Sequence, residues 1–173
     1  YREARAIGES IERSIAGLDA PSVIAELAAV RAAIEARIGT AETAKPALDR
    51  ALVAASRAGA PELETRVWAM RLRHELFAGD PARVEELMPL AKAAAARAKR
   101  DGGELEGIAG EALRDRGNVD EARRHRERAW ASKDPLRADQ RAVLAMDLGA
   151  VHLLAGDLAK AEGAVRLTRE PPE

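Results

Sequence analysis

The run LAMDLGAVHLLAGDLAKAEGAVRL, from Leu144 to Leu167, reads as two helices bent around one tight turn at Gly156-Asp157. Leu148, Val151 and Leu154 form an apolar stripe on the first helix, and Ala161 and Val165 form one on the second. Neither half can bury its stripe alone, so a stack of such units is expected.

Working outward, three more Gly-plus-polar pairs mark the chain: Gly39-Thr40, Gly79-Asp80 and Gly117-Asn118. The four turn glycines are separated by 40, 38 and 39 residues, which is the signature of an internal repeat. A Gly can take positive φ to close one helix, while the Thr, Asp or Asn after it can cap the next. Longer breaks alternate with these tight ones, at Gly17–Ser22, Gly59-Ala60-Pro61, Asp101-Gly102-Gly103 and Lys133-Asp134-Pro135, and Pro suits the first helical position in three of them. The pattern predicts nine helices over about 2–17, 21–38, 41–58, 61–78, 81–99, 103–116, 119–132, 136–155 and 157–169. Pro46 could mark a late helix start near Lys45, and Pro89 is expected to kink a helix without ending it. Val23, Leu27, Val30, Ile34 and Ile38 recur at helical steps and no stretch alternates with period two, so strands are not expected.

Composition agrees. Hydrophobic residues make up 47% of the 173 residues but aromatics only 2%, leaving a core of Ala, Leu, Val and Ile. Lys plus Arg total 28 against 29 Asp plus Glu, so bulk charge draws the chain neither to nucleic acid nor to an acidic membrane. There is no Cys, which removes disulfides, thiolate catalysis and Cys-ligated zinc. No apolar run approaches the roughly 18 residues of a membrane span, and a cytoplasmic location is expected.

These residues resemble the tetratricopeptide repeat (TPR), a helix-turn-helix unit that stacks into a right-handed superhelix with a concave groove. In the last unit Leu148-Gly149 stands at the family's Leu-Gly pair, His152 at its Tyr, Ala161 at the small residue of the second helix and Val165 at its large apolar position. Pro171-Pro172 lies close to the family's closing Pro. Trp68 falls on the family's aromatic position and Gly110 on its small one. Five residues past each turn Gly stand Ala44, Val84, Ala122 and Ala161; twelve past stand Ala51, Ala91, Ala129 and Thr168. Departures are Arg126 at a large apolar position, Arg31 and Arg71 in place of a Leu, and a period longer than the family's roughly 34 residues.

The resemblance implies an all-α, right-handed solenoid of antiparallel hairpins over about 21–58, 61–99, 103–132 and 136–169, with 1–17 as the second helix of a truncated repeat. Tyr1-Arg2-Glu3-Ala4 looks like a helix start whose turn Gly is missing. The chain is therefore expected to be a fragment of a longer, multidomain signalling or regulatory protein, with helix 2–17 packing against upstream repeats.

No enzyme is expected. His74, His125 and His152 fall at unrelated repeat positions, and Ala78 stands where a zincin-like pair begun at His74-Glu75 would need its second His, so no metal site or cofactor is predicted. His152 is expected to pack in the core with one satisfied nitrogen. Gly102-Gly103 is followed by Glu104-Leu105-Glu106, whose charge would repel phosphate. Arg123, Arg124, His125, Arg126 and Arg128 spread around a helix diluted by Glu121 and Glu127, so nucleic-acid binding is disfavoured and a solvated face with i,i+4 ion pairs expected.

In TPR-like arrays the first helices line the groove. Carried over by offset from each turn Gly, the groove positions are Glu26, Ala29, Ala33 and Arg37; Arg66, Ala69, Arg73, Leu76 and Phe77; Glu104 and Glu111; and Val143, Met146 and Ala150. The candidate partner site comprises Arg37, Arg66, Arg73, Phe77, Glu104, Glu111 and Met146. Arg66 and Arg73, seven apart, could fork around a carboxylate or phosphate, although pairing with neighbouring Glu is the weightier reading. The single Asn, Asn118, is a turn residue, which disfavours the family's Asn-dependent clamp for peptide C-termini. The expected function is a non-catalytic scaffold for a protein or peptide partner; the alternative is a sensor binding a small acidic ligand or peptide around Arg66 and Arg73, with Phe77 as its floor.

Overall fold

Alanine-rich segments of nine to eighteen residues, punctuated by Gly and opened by Pro, Asp or Asn, leave the backbone few alternatives to short helices. The structure, a computed structural model, describes residues 2–15, 20–134 and 138–166. Among the described residues there are nine helices and no strand: α1 (Arg2–Ile15), α2 (Pro21–Ile38), α3 (Ala41–Arg57), α4 (Pro61–Phe77), α5 (Pro81–Arg97), α6 (Gly103–Asp115), α7 (Val119–Ala131), α8 (Ala138–Leu154) and α9 (Leu158–Arg166). The substantial helix contacts join elements adjacent in the chain, or successive first helices such as α2 with α4 and α4 with α6. Contact confined to near neighbours is the arrangement of a helical solenoid.

The turn chemistry holds in three hairpins and changes in one. Gly79, Gly117 and Gly156 take φ of +79°, +80° and +78°, and the next residue, Asp80, Asn118 or Asp157, accepts the backbone N–H three residues on. Gly39 departs from this, with φ −79° and an extended ψ. Glycine is needed there because a Cβ would fall 2.4 Å from Thr43 Oγ1 and 2.6 Å from the Glu35 carbonyl oxygen. Its helix is capped from the other side, the Thr43 hydroxyl accepting the Thr40 N–H at 3.0 Å. Pro21, Pro61 and Pro81 open their helices; Pro135 lies outside the described residues. α3 begins at Ala41, so Pro46 marks no late start and instead sits exposed within the helix; α5 likewise runs through Pro89.

The core is a chain of linked clusters. Ala47, Leu48, Ala51 and Ala55 of α3 meet Ala25, Ala29 and Ala32 of α2 and Leu63 and Val67 of α4. Leu72 of α4, Val84, Leu87 and Met88 of α5 and Leu105 and Ile108 of α6 form the second cluster, with Trp68 packed against it. Ala122, Leu148, Val151 and Ala164 form the third. Small residues let the paired helices close up: Ala51, Ala91 and Ala129, each twelve past a turn Gly, are fully buried, whereas Thr168 lies outside the described residues. At Gly149 an added Cβ would meet Val165 Cγ2 at 3.3 Å and the Ala161 carbonyl oxygen at 3.4 Å. At Gly110 it would meet Arg126 Cγ and Cδ at 3.1 Å. At the N-terminal end, Ile7 and Ile11 of α1 stay exposed and line a cleft of about 240 Å³ with Leu27, Val30 and Ile34 of α2.

Candidate interaction surface

Because the repeat puts equivalent positions of α2, α4, α6 and α8 in a row, side chains on successive first helices can reach one another. Arg66 Nη2 of α4 lies 2.5 Å from Glu26 Oε2 of α2, and Arg73 Nη2 of α4 lies 3.3 Å from Glu104 Oε1 of α6. The two arginines therefore point to opposite neighbours. Phe77, the last residue of α4, is 83% exposed. Arg37 is exposed near the end of α2 and joins neither pair. Of the residues assigned to the groove, the structure brings together Arg66 with Glu26 and Arg73 with Glu104, and leaves Arg37, Phe77 and Met146 apart.

Glu111 belongs to a different assembly. Arg126 of α7, only 3% exposed, sets Nη1 2.8 Å from Asp147 Oδ2 of α8 and Nη2 3.8 Å from Glu111 Oε2 of α6, while Arg114 Nη1 lies 3.6 Å from Asp147 Oδ1. Burial pulls the Arg126 pKa below its ordinary value, and Asp147 and Glu111 offset only part of that fall. For Arg114 burial acts the same way, but Asp115, Asp147 and Glu111 outweigh it and the pKa is raised. Arg71 of α4 is equally buried, with Nη2 2.8 Å from Glu75 Oε1 and Nε 3.7 Å from Asp49 Oδ1 of α3. Burial of these arginines is the feature that reading for exposed groove residues passes over. A signal was present: Arg31 and Glu35 stand at the same repeat positions as Arg71 and Glu75.

The basic stretch of α7 is held by carboxylates from other helices more than by i,i+4 pairs. His125 Nδ1 lies 2.7 Å from Glu106 Oε2, Lys92 Nζ of α5 lies 2.5 Å from Glu106 Oε1, and Arg128 Nη1 approaches at 3.9 Å. Burial raises the Glu106 pKa, but Lys92 and His125 together more than reverse this, holding the carboxyl below its usual range. His152 is buried as expected of a core histidine, yet among the described residues its Nδ1 has no hydrogen-bond partner, and Nε2 stands 3.9 Å from Glu127 Oε1.

The start of α6 is closed from within. The Asp134 carboxylate, from the segment after α7, accepts the N–H groups of Asp101, Gly102 and Gly103 at 3.2, 2.8 and 3.2 Å and Arg100 Nε at 2.9 Å. Asp101 returns the contact by accepting the Lys133 N–H at 3.0 Å. Gly103 must lack a side chain, since a Cβ there would fall 2.5 Å from Ser132 Cβ. A helix N-terminus that could draw an anion is thus filled by the chain's own carboxylate.

The fourth hairpin breaks the charged row. Where α4 carries Arg66, Ala69, Arg73 and Leu76, α8 carries Val143, Met146, Ala150 and Leu153, and all four are exposed, Met146 at 63%. With Leu154 beside them they make an apolar stripe along α8 with no charged side chain at the row positions. Among the described residues, no group of three or more His, Asp or Glu is placed to hold a metal ion, and no helix is long and apolar enough to cross a membrane.

No protein-family model and no curated protein matches the sequence. In the solved structures, the chain is similar to the crystal structure of BtubC (BKLC) from P. vanneervenii, with a TM-score of 0.78 and 21% sequence identity, covering 99% of this chain and 76% of that one. At that identity the likeness establishes the fold, a helical-repeat all-α array.

Proposed function

We propose that the chain is a non-catalytic protein-interaction scaffold of the TPR-like class, and that α8 carries its main contact. The observation behind this is the exposed row Val143, Met146, Ala150 and Leu153, standing where α2, α4 and α6 place charges that pair between neighbouring first helices, Glu26 with Arg66 and Arg73 with Glu104. Apolar side chains left together on a surface rimmed by charge favour association with a complementary apolar face. The first three hairpins, by contrast, spend Glu26, Arg66, Arg73, Glu104 and Glu111 on internal contacts. The TPR-like assignment is supported by the Leu148-Gly149 pair, whose Gly meets α9 closely, and by Trp68 packed against the core.

The test is to compare proteins that co-purify with the tagged full-length protein and with its Val143→Asp/Met146→Asp variant. Both sites are exposed, so helix content and melting temperature should change little. The proposal expects specific partners to drop out with this variant and to survive Arg73→Ala. An unchanged set would refute it.

A further inference from the structure

The groove between α2 and α3 lacks carboxylates that the same repeat supplies elsewhere. It encloses about 470 Å³, floored by Ile24, Ala28, Val53 and Ala54 and flanked by Arg50 and Arg57. Both arginines are exposed, and neither has an ion-pair or hydrogen-bond partner among the described residues.

Their counterparts are paired. Forty residues on, Arg97 of α5 takes the place of Arg57, and Glu64 of α4 takes the place of Ile24; Arg97 Nη2 lies 2.7 Å from Glu64 Oε1. Seventy-eight residues on, Arg128 replaces Arg50 and Glu106 replaces Ala28, and the two approach to 3.9 Å. In the first hairpin both acidic positions have become aliphatic while both arginines remain. The one carboxylate lining the groove, Asp49, lies 3.7 Å from Arg71 of the next hairpin.

We infer that this groove docks an acidic amphipathic peptide segment of a partner protein, which supplies the two missing carboxylates and sets apolar side chains on the Ile24–Val53 floor. Arg50 and Arg57 are seven residues apart on one helix, about 10 Å along its axis. Carboxylates seven apart on a docked helix match that spacing, with the apolar residues between them facing the groove. A nucleic acid fits less well, because no aromatic side chain lines the groove to stack a base. An anionic membrane fits less well too, because such surfaces are held by clusters of four to eight cations. The inference goes beyond the α8 reading, concerns a different surface, and can fail while that reading stands.

The experiment selects a displayed random peptide library on the protein, with Ile24→Glu/Ala28→Glu as the counter-selected form. That variant restores in cis the carboxylates that Glu64 and Glu106 provide in later hairpins. Arg50→Ala/Arg57→Ala serves as a second variant that leaves the floor intact, and melting temperature verifies the fold of both. The expected result is enrichment of peptides with paired acidic residues at i and i+7 around apolar ones, binding each variant at least about tenfold more weakly. Val143→Asp/Met146→Asp should bind them unchanged. The inference is overturned if no peptide is enriched, if enriched peptides lack the acidic pair, or if either folded variant binds as tightly as the original. It is equally overturned if phosphatidylserine vesicles or oligothymidine bind through Arg50 and Arg57 while acidic peptides do not.

Discussion

The joint between the first two hairpins and the joint between the last two use one backbone plan with opposite chemistry. Nine residues past the turn glycine stand Leu48 in the first hairpin and Arg126 in the third, and both are buried. Leu48 sits among Ala25, Leu63 and Val67 and needs only a close-packed surround. Arg126 needs Asp147 from the next hairpin, Glu111 from its own, and the space left by Gly110. A repeat thus fixes where a side chain is buried without fixing what it is, provided that the partners change with it. A first helix without an acid at the position of Asp147 would leave the Arg126 guanidinium buried without its nearest carboxylate.

Asp147→Ala leaves a buried guanidinium without its nearest carboxylate and should cost about 3 kcal/mol in chemical denaturation. Leu48→Ala should cost a similar amount, about 2 to 5 kcal/mol, through an unfilled cavity instead. Next in size is Gly149→Leu, which must displace Val165 and the Ala161 backbone and should destabilise by about 1 to 3 kcal/mol. Asp134→Ala removes the acceptor for three N–H groups at the start of α6 and should cost about 1 to 2 kcal/mol. Arg126→Met, which copies Met88 at the same repeat position, should fall within about 1 kcal/mol of the original. A large loss from Arg126→Met, equal to that from Asp147→Ala, would show that the pair holds the joint together and does not merely tolerate burial.

The smallest effect is a pH dependence. The Glu106 carboxyl is held below its ordinary range in the folded chain, so its contribution is present above the unfolded carboxyl value and is lost as pH falls through the folded one. Stability measured from neutral pH down into the acid range should therefore fall more steeply in the original than in Glu106→Gln. Parallel curves would remove Glu106 from the set of groups that stabilise the fold.

The turn glycines at near-equal spacing, with mostly alanines five and twelve residues beyond them, made the helices and their stacking legible, because both are local consequences of chain direction and side-chain size. Gly39 shows the limit: its spacing fits the repeat, but its φ is negative, and glycine is required instead because a Cβ would collide with Glu35 and Thr43, a crowding that no turn rule contains. The pairing of Arg66 and Arg73 with neighbouring glutamates was legible as a class, though the identities Glu26 and Glu104 depend on how far adjacent first helices are shifted. The burial of Arg126 was visible only as a departure, since its partner Asp147 is 21 residues away across an inter-hairpin segment. The apolar α8 row could be read directly; its exposure could not, because equivalent Ala29 and Ala69 are buried.

The account rests most on α8 being the contact surface while the charged first helices satisfy one another. A photo-crosslinking residue placed at Met146 in the full-length protein, and in parallel at Arg73, tests this in the cells that make it. The account predicts a discrete protein adduct from position 146 and none from position 73. No adduct from position 146, or one from position 73 alone, would contradict it.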